Sequence, residues 1–257
     1  MSANPALGVH GPHLPSEGRV RGCGLTLAYR EWNPSSDGLP IVLLHGITGS
    51  SADWQRTALH LAGRRLLAFD ARGHGDSDWA ADEAYGGDQH FADLALALDA
   101  LGVDHCLLAG FSMGGGVATI AAAAMPERVA GVVVIDAYPH AEMTPGSRRI
   151  AGWVSRYREG GAWFDPAIAR HFFEQLAEGR DARLDLWSLW EAITCPVLLV
   201  RGESSDVLTA EAAAEMLARL PHARLETISG VAHQIPSARP REVADVLAAF
   251  ADTFDAR

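Results

Sequence analysis

The stretch 106–125 places the tightest constraint on what this chain can fold into. An apolar run, Cys106-Leu107-Leu108-Ala109, leads into Gly110-Phe111-Ser112-Met113-Gly114-Gly115-Gly116 and then into helix-forming residues from Val117 onward. A serine on so sharp a strand-to-helix turn is driven towards an unfavourable backbone conformation, which is tolerated where its neighbours lack bulky side chains. Gly110, Gly114, Gly115 and Gly116 are read as supplying that room. The hydroxyl then stands at a helix N-terminus, where unpaired backbone N–H groups and the positive end of the helix dipole favour an anionic oxygen. The competing explanation is a serine that merely caps a glycine-rich helix. The rest of the chain has to choose between the two.

Around this stretch, short apolar runs alternate with helical segments. Residues 41–44, 66–69, 129–135 and 196–200 are continuous apolar runs, the sign of strands buried on both faces. Residues 51–62, 91–101, 210–220 and 240–250 read as helices, and 223–228 as one more strand. Residues 19–32 alternate loosely about Gly22 and Gly24, which predicts an antiparallel hairpin at one sheet edge. The sum is an α/β fold, a mainly parallel twisted sheet flanked by helices. Such sheets bind ligands at the carboxyl ends of their strands, where His45, Ser112 and Asp136 all fall. In the turn after residues 66–69, Asp70 and Arg72 are expected to hydrogen-bond to each other in a structural role.

The rhythm breaks over residues 137–192, a stretch rich in tryptophan, phenylalanine and arginine. It reads as a small helical lid inserted into a core made of residues 1–136 and 193–257. Most of its aromatics must fill the insertion's own core. Trp153, Arg156, Tyr157 and Trp187 are the candidates for lining a substrate pocket.

Composition removes several kinds of chemistry. The 21 basic residues are all arginine, so Schiff-base catalysis and a lysine-bearing phosphate loop are excluded. The 11 histidines and three cysteines (Cys23, Cys106, Cys195) show no metal-ligand spacing, so neither a metal nor a cofactor is expected. A net charge of -11 opposes nucleic acid and anionic membrane surfaces, which leaves a small-molecule substrate as the expected partner. Residues 1–18 lack the basic start and apolar segment of a secretory signal, and no apolar stretch is long enough to span a bilayer; a cytoplasmic location is the expectation.

A serine hydroxyl is a weak nucleophile until an imidazole accepts its proton, and a carboxylate holds that imidazole in the correct tautomer. The chain offers Ser112, then Asp136 or Asp206, then His233 within Gly230-Val231-Ala232-His233. Together with His45-Gly46 before a glycine-containing loop and the turn Asp70-Ala71-Arg72-Gly73-His74-Gly75-Asp76-Ser77, this order resembles the α/β-hydrolase fold family over nearly the whole chain. The resemblance implies that Ser112 is the nucleophile and that His233 is first general base and then acid for the leaving group. It also implies that the backbone N–H groups of Ile47 and Met113 form the oxyanion hole, and that His45 supports its loop. For the acid, two positions stay open. The commonest family pattern would place it at Ser205, one residue before Asp206. By contrast, His45-Gly46-Ile47-Thr48, Val134-Ile135-Asp136 and Arg201-Gly202-Glu203-Ser204-Ser205 look like the branch containing 2-(acetamidomethylene)succinate hydrolase, which draws its acid from the earlier strand. Asp136 is therefore preferred.

The implied activity is hydrolysis of an ester, lactone or thioester of a small to medium organic acid through an acyl-enzyme. One alternative is cleavage of a C–N or C–C bond in a carboxylate-bearing metabolite held by an insertion arginine. Others are cofactor-free oxygenation and a non-enzymatic ligand receptor on the same fold. A serine where related dehalogenases and epoxide hydrolases carry aspartate argues against those two chemistries. The hydrolase reading requires the Ser112 hydroxyl and the His233 imidazole to meet within hydrogen-bonding reach above the sheet.

Overall fold

A computed structural model of the chain describes residues 14–61, 63–139, 145–154, 163–168, 170–171 and 185–255. Its centre is a sheet of eight strands: β1 (Ser16–Arg21), β2 (Thr26–Trp32), β3 (Ile41–Leu44), β4 (Leu66–Phe69), β5 (Cys106–Phe111), β6 (Val129–Ile135), β7 (Val197–Gly202) and β8 (Arg224–Ile228). Their spatial order is β1-β2-β4-β3-β5-β6-β7-β8. The β1–β2 and β2–β4 pairs are antiparallel and every other pair is parallel, so the expected hairpin forms one edge of a mainly parallel sheet.

Unbroken apolar strands imply cover on both faces, and two separate cores supply it. Val42 and Leu44 of β3 face one cluster, Ile41 and Leu43 the other, as the two-residue period of a strand requires. On the first face lie α1 (Gly87–Ala100) and α2 (Met113–Ala124), whose Leu94, Ala97, Leu98, Val117, Ala118 and Ala121 are buried. On the second lie Trp54, Leu61 and the long carboxyl-terminal helix Pro240–Asp255, which buries Val243, Ala244, Leu247 and Ala251 along one stripe. Small side chains on α2 let it sit close to the sheet between β5 and β6.

Within residues 137–192, the described parts include α3 (Pro145–Val154), residues 163–168 and 170–171, and α4 (Leu186–Glu191). The α4 helix is joined to the main core: Trp190 is fully buried there and its indole N–H donates to the Met216 carbonyl at 2.9 Å. Residues 163–165 are tied to the turn after β4 by backbone bonds, Gly75 N–H to Trp163 O at 2.9 Å and Asp165 N–H to Gly73 O at 2.7 Å.

The turn after β4 differs from its sequence expectation. Asp70 and Arg72 do not bond to each other. Asp70 accepts from the backbone of Ser51 at 2.6 Å and Asp76 at 2.9 Å, whereas Arg72 grips both oxygens of Asp93 on α1 at 2.7 and 2.9 Å. Both members of that pair are almost wholly buried. Arg72 also donates to the carbonyls of Cys23 and Ala84, so its planar fork ties the hairpin, the turn and α1 together. Among the described residues no helix is long and apolar enough to cross a membrane.

Candidate active site

The order of strands reverses direction around β3, with β4 on one side and β5 on the other, and Leu44 lies opposite Gly110. A crevice is expected at that switch point, beyond the strands' carboxyl ends. There the chain leaves β5 through Ser112, whose backbone sits at φ 52° and ψ -116°. Its N–H donates to Ile135 O at 2.9 Å, and its carbonyl accepts from Gly115 and Gly116, but its side chain makes no cap bond to the helix. The capping explanation therefore does not account for this serine. A Cβ on Gly110 would overlap the Gly114 carbonyl, and one on Gly114 would overlap the carbonyl of Leu44, so the close approach of α2 to β3 and β5 depends on both glycines. Gly115 is similarly crowded by Ala137. Gly116 is not: an added Cβ there meets nothing within 4 Å, which corrects the reading that all four glycines make room for the turn.

Strain concentrates here. Of the five non-glycine residues with positive φ among the described residues, Thr48, Ser112 and Asp136 follow β3, β5 and β6 respectively. Such conformations cost about 1–3 kcal/mol each and persist where the surroundings over-determine them. Asp136 is completely buried, its N–H bonded to Val200 O at 2.8 Å. Its Oδ2 accepts from His233 Nδ1 at 2.7 Å and from Ser205 Oγ at 2.6 Å, and its Oδ1 from Gly202 N–H at 3.2 Å. With Nδ1–H committed to the carboxylate, Nε2 is the basic nitrogen of His233. The imidazole ring also leans on Phe111, 4.9 Å between centroids.

Asp206 is elsewhere. Its half-exposed carboxylate pairs with Arg149 of α3 at 2.5 Å, and that guanidinium holds it below the usual carboxylate range. Ser205 is the residue whose role the sequence reading missed. Besides donating to Asp136, its hydroxyl accepts from Val207 and Leu208 N–H at 3.2 Å, so it pins the carboxylate to the loop after β7. The available signal was its place at the acid position of the commoner family pattern.

Two cavities meet at Ser112. An inner one of about 170 Å³ is lined by Ile47, Ser112, Met113, Gly116, Ile120 and Met216, among others. An outer one of about 420 Å³ is lined by Ser112, His233, Arg149, Trp153 and Trp163, with Ile47 and Ile150 shared between the two. Ser112 and His233 thus border one cleft; within the described residues no hydrogen bond joins them, and such bonds commonly tighten only with substrate in place. The N–H groups of Ile47 and Met113 have no protein acceptor among the described residues, unlike Thr48 N–H, which donates to His74 Nε2, and Gly114 N–H, which donates to His45 O.

The loop carrying Ile47 is braced by two buried histidines. His45 bonds Gly46 O through Nδ1 and Ala71 N–H through Nε2; His74 bonds Arg72 O and Thr48 N–H in the same way. Burial pushes both imidazoles below the ordinary histidine range. Neither has a nitrogen left for proton transfer to a substrate. Trp163 closes the loop from the insertion side, its indole N–H bonded to Thr48 O at 2.5 Å.

Of the four pocket candidates in the insertion, Trp153 lines the outer cleft. Trp187 does not: it packs edge-on against Tyr138 with the Arg219 guanidinium 4.1 Å above its ring, facing the α4 side of the core. Arg156 and Tyr157 lie outside the described residues. No cluster of metal-ligating side chains occurs among the described residues.

The fold and this arrangement at the strand ends define a class. The family model for the alpha/beta hydrolase fold matches residues 40–162. An esterase of Mycobacterium tuberculosis is 30% identical over 96% of this chain and 92% of its own. The 2-(acetamidomethylene)succinate hydrolase of Mesorhizobium japonicum is 28% identical over 89% of this chain and 92% of its own. The crystal structure of an alpha/beta hydrolase from Novosphingobium aromaticivorans superposes with a TM-score of 0.77 at 27% identity, covering 94% of this chain and 99% of that one. The chain belongs to the α/β-hydrolase fold family.

Proposed function

We propose that the protein is a serine hydrolase that cleaves a carboxylic ester, thioester or lactone through an acyl-enzyme on Ser112. The observation that carries this reading is a strained, uncapped serine where two cavities meet, with the carboxylate-bound imidazole of His233 on the outer one, Met113 on the inner one and Ile47 on both, the N–H groups of Ile47 and Met113 having no acceptor among the described residues. His233 Nε2 takes the proton of Ser112 as Oγ attacks the carbonyl carbon. The carbonyl oxygen becomes an oxyanion held by Ile47 and Met113 N–H. Collapse of that intermediate expels the alcohol or thiol, which leaves with the proton from His233. Water then attacks the acyl-serine with His233 again as base, releasing the acid and restoring Ser112. Asp136 is the triad acid in this scheme, since it holds the His233 tautomer while Asp206 is paired with Arg149. Residues 137–192 serve as the lid, with Trp163 and α3 framing the outer cleft.

The carboxylate-clamp alternative has one observation in its favour, the Arg149 guanidinium at the outer cleft. That guanidinium is already paired with Asp206, and the inner cavity has no arginine among its described lining residues. Uncharged acyl groups are therefore the better match. The test is labelling with a fluorophosphonate followed by peptide mass spectrometry, alongside turnover of p-nitrophenyl esters. The adduct is expected on Ser112, and Ser112→Ala is expected to abolish both label and turnover. Ester hydrolysis that survives Ser112→Ala would overturn the acyl-enzyme.

A further inference from the structure

Gly116 has no steric or conformational reason to be glycine. It lies within α2, its φ is not positive, and an added Cβ would meet open space. A glycine inside a helix destabilises it relative to alanine. What its missing side chain leaves is volume, because Gly116 lines the inner cavity one helical turn beyond Ser112. Helical Cα–Cβ bonds tilt towards the helix N-terminus, so any side chain at 116 would project back towards the serine. Its apolar lining includes Val117, Ile120, Ile150 and Met216, and its polar lining includes His90, Asp136, Ser147 and His171 besides Thr119. Thr119 contributes little polarity, since its hydroxyl is spent on Gly115 O at 2.9 Å.

The two cavities also have unequal access to the base. His233 lines the outer cleft and not the inner cavity. The group that leaves must receive its proton from His233, so it belongs in the outer cleft, and the acyl half is directed into the inner cavity.

Resting on the reading of Ser112 as nucleophile, we propose that Gly116 determines acyl specificity: its bare Cα leaves room for an uncharged hydrocarbon acyl chain beside the nucleophile. Substrates of this class are esters or thioesters of apolar acids, with the leaving group in the outer cleft.

The experiment compares wild type, Gly116→Ala and Gly116→Leu on p-nitrophenyl esters from acetate to decanoate and on the mono-p-nitrophenyl ester of succinic acid, with thermal melting and fluorophosphonate labelling of each protein. The ratio of kcat/KM for octanoate to that for acetate should fall by about tenfold or more in Gly116→Leu, with Gly116→Ala between. Wild type should prefer butanoate to the succinate monoester. Gly116→Ala should melt no lower than wild type. An unchanged octanoate-to-acetate ratio in folded, labelled variants would overturn the role of Gly116 while leaving the serine mechanism standing. Preference for the succinate monoester would overturn the apolar acyl class. Absence of a Ser112 adduct in wild type would overturn the mechanism and this inference with it. Should Gly116→Leu not fold, the ratio in Gly116→Ala decides.

Discussion

Asp136 and His233, 97 positions apart, are joined by a 2.7 Å hydrogen bond in a pocket that leaves neither side chain more than 4% exposed. An amide at 136 would keep the shape but lose the charge and invert the hydrogen-bond preference, leaving His233 in the wrong tautomer. Asp136→Asn is expected to lower kcat by about four orders of magnitude. Asp206→Asn removes only an exposed pair with Arg149, worth at most about 1 kcal/mol, and should change kcat/KM by no more than about fivefold. Steady-state kinetics on both variants, with circular dichroism to confirm folding, checks this. The reverse ranking would transfer the acid role to Asp206.

Ser205 bonds the Asp136 carboxylate and lines neither cavity at Ser112. Removing its hydroxyl strips one bond from the carboxylate and leaves the Val207 and Leu208 N–H groups without that acceptor. A hydrogen bond to a charged group is worth about 1.5–3 kcal/mol, so Ser205→Ala should lower kcat by about ten- to a hundredfold with KM little changed. Ser205→Thr, which keeps the hydroxyl, should restore most of it. Equal losses in both variants would point to packing alone.

Arg72 and Asp93 form the one bidentate ion pair in which both side chains are nearly excluded from solvent among the described residues. Deleting one partner leaves the other charge buried and unpaired. Asp93→Ala is expected to cost about 3–5 kcal/mol, read from urea unfolding midpoints. A loss below about 1 kcal/mol would mean that the guanidinium finds compensation elsewhere.

Three buried imidazoles make the folded state less stable as pH falls. Burial lowers His45 and His74, and burial together with the nearby Arg72 charge brings His90 down to about 3. In each, the unfolded chain binds a proton more readily than the native one. The associated stability is therefore present above the ordinary histidine value near 6.5 and is lost as pH falls below it, down to about 3 for His90. For His90 the slope is about 1.4 kcal/mol per pH unit between those two values. His90→Gln should flatten the decline between pH 6.5 and 5 by one proton, measured from denaturation midpoints across that range. Parallel curves for variant and wild type would show that His90 protonates in the native state.

Tyr85 links the insertion to the core, its hydroxyl donating to Asp165 at 2.5 Å while accepting from Ala80 N–H at 2.9 Å. Tyr85→Phe strands both partners and should cost about 1–3 kcal/mol of local stability. Hydrogen exchange at residues 163–168 should accelerate while β5 and β6 stay protected. Uniform acceleration would place Tyr85 in the global core.

What could be read without coordinates was what local physics dictates. A strand covered on both faces must be an unbroken apolar run, so β3, β4 and β6 declare themselves at their observed positions, while β5 starts where expected and runs two residues further, to Phe111. A turn as tight as the one at Ser112 demands small neighbours, so the glycines announce it. The tertiary structure alone decided everything that turns on approach through space. Arg72 found Asp93 on α1 in place of Asp70 two residues away, because a buried charge takes the partner whose geometry satisfies its fork, irrespective of chain separation. Asp136 reaches His233 because its own left-handed backbone and the Ser205 hydroxyl aim its carboxylate, and no spacing rule encodes either. Trp187 lies away from the pocket and Gly116 lines it for the same reason: which side of a helix faces a cavity is settled by what packs against the other side.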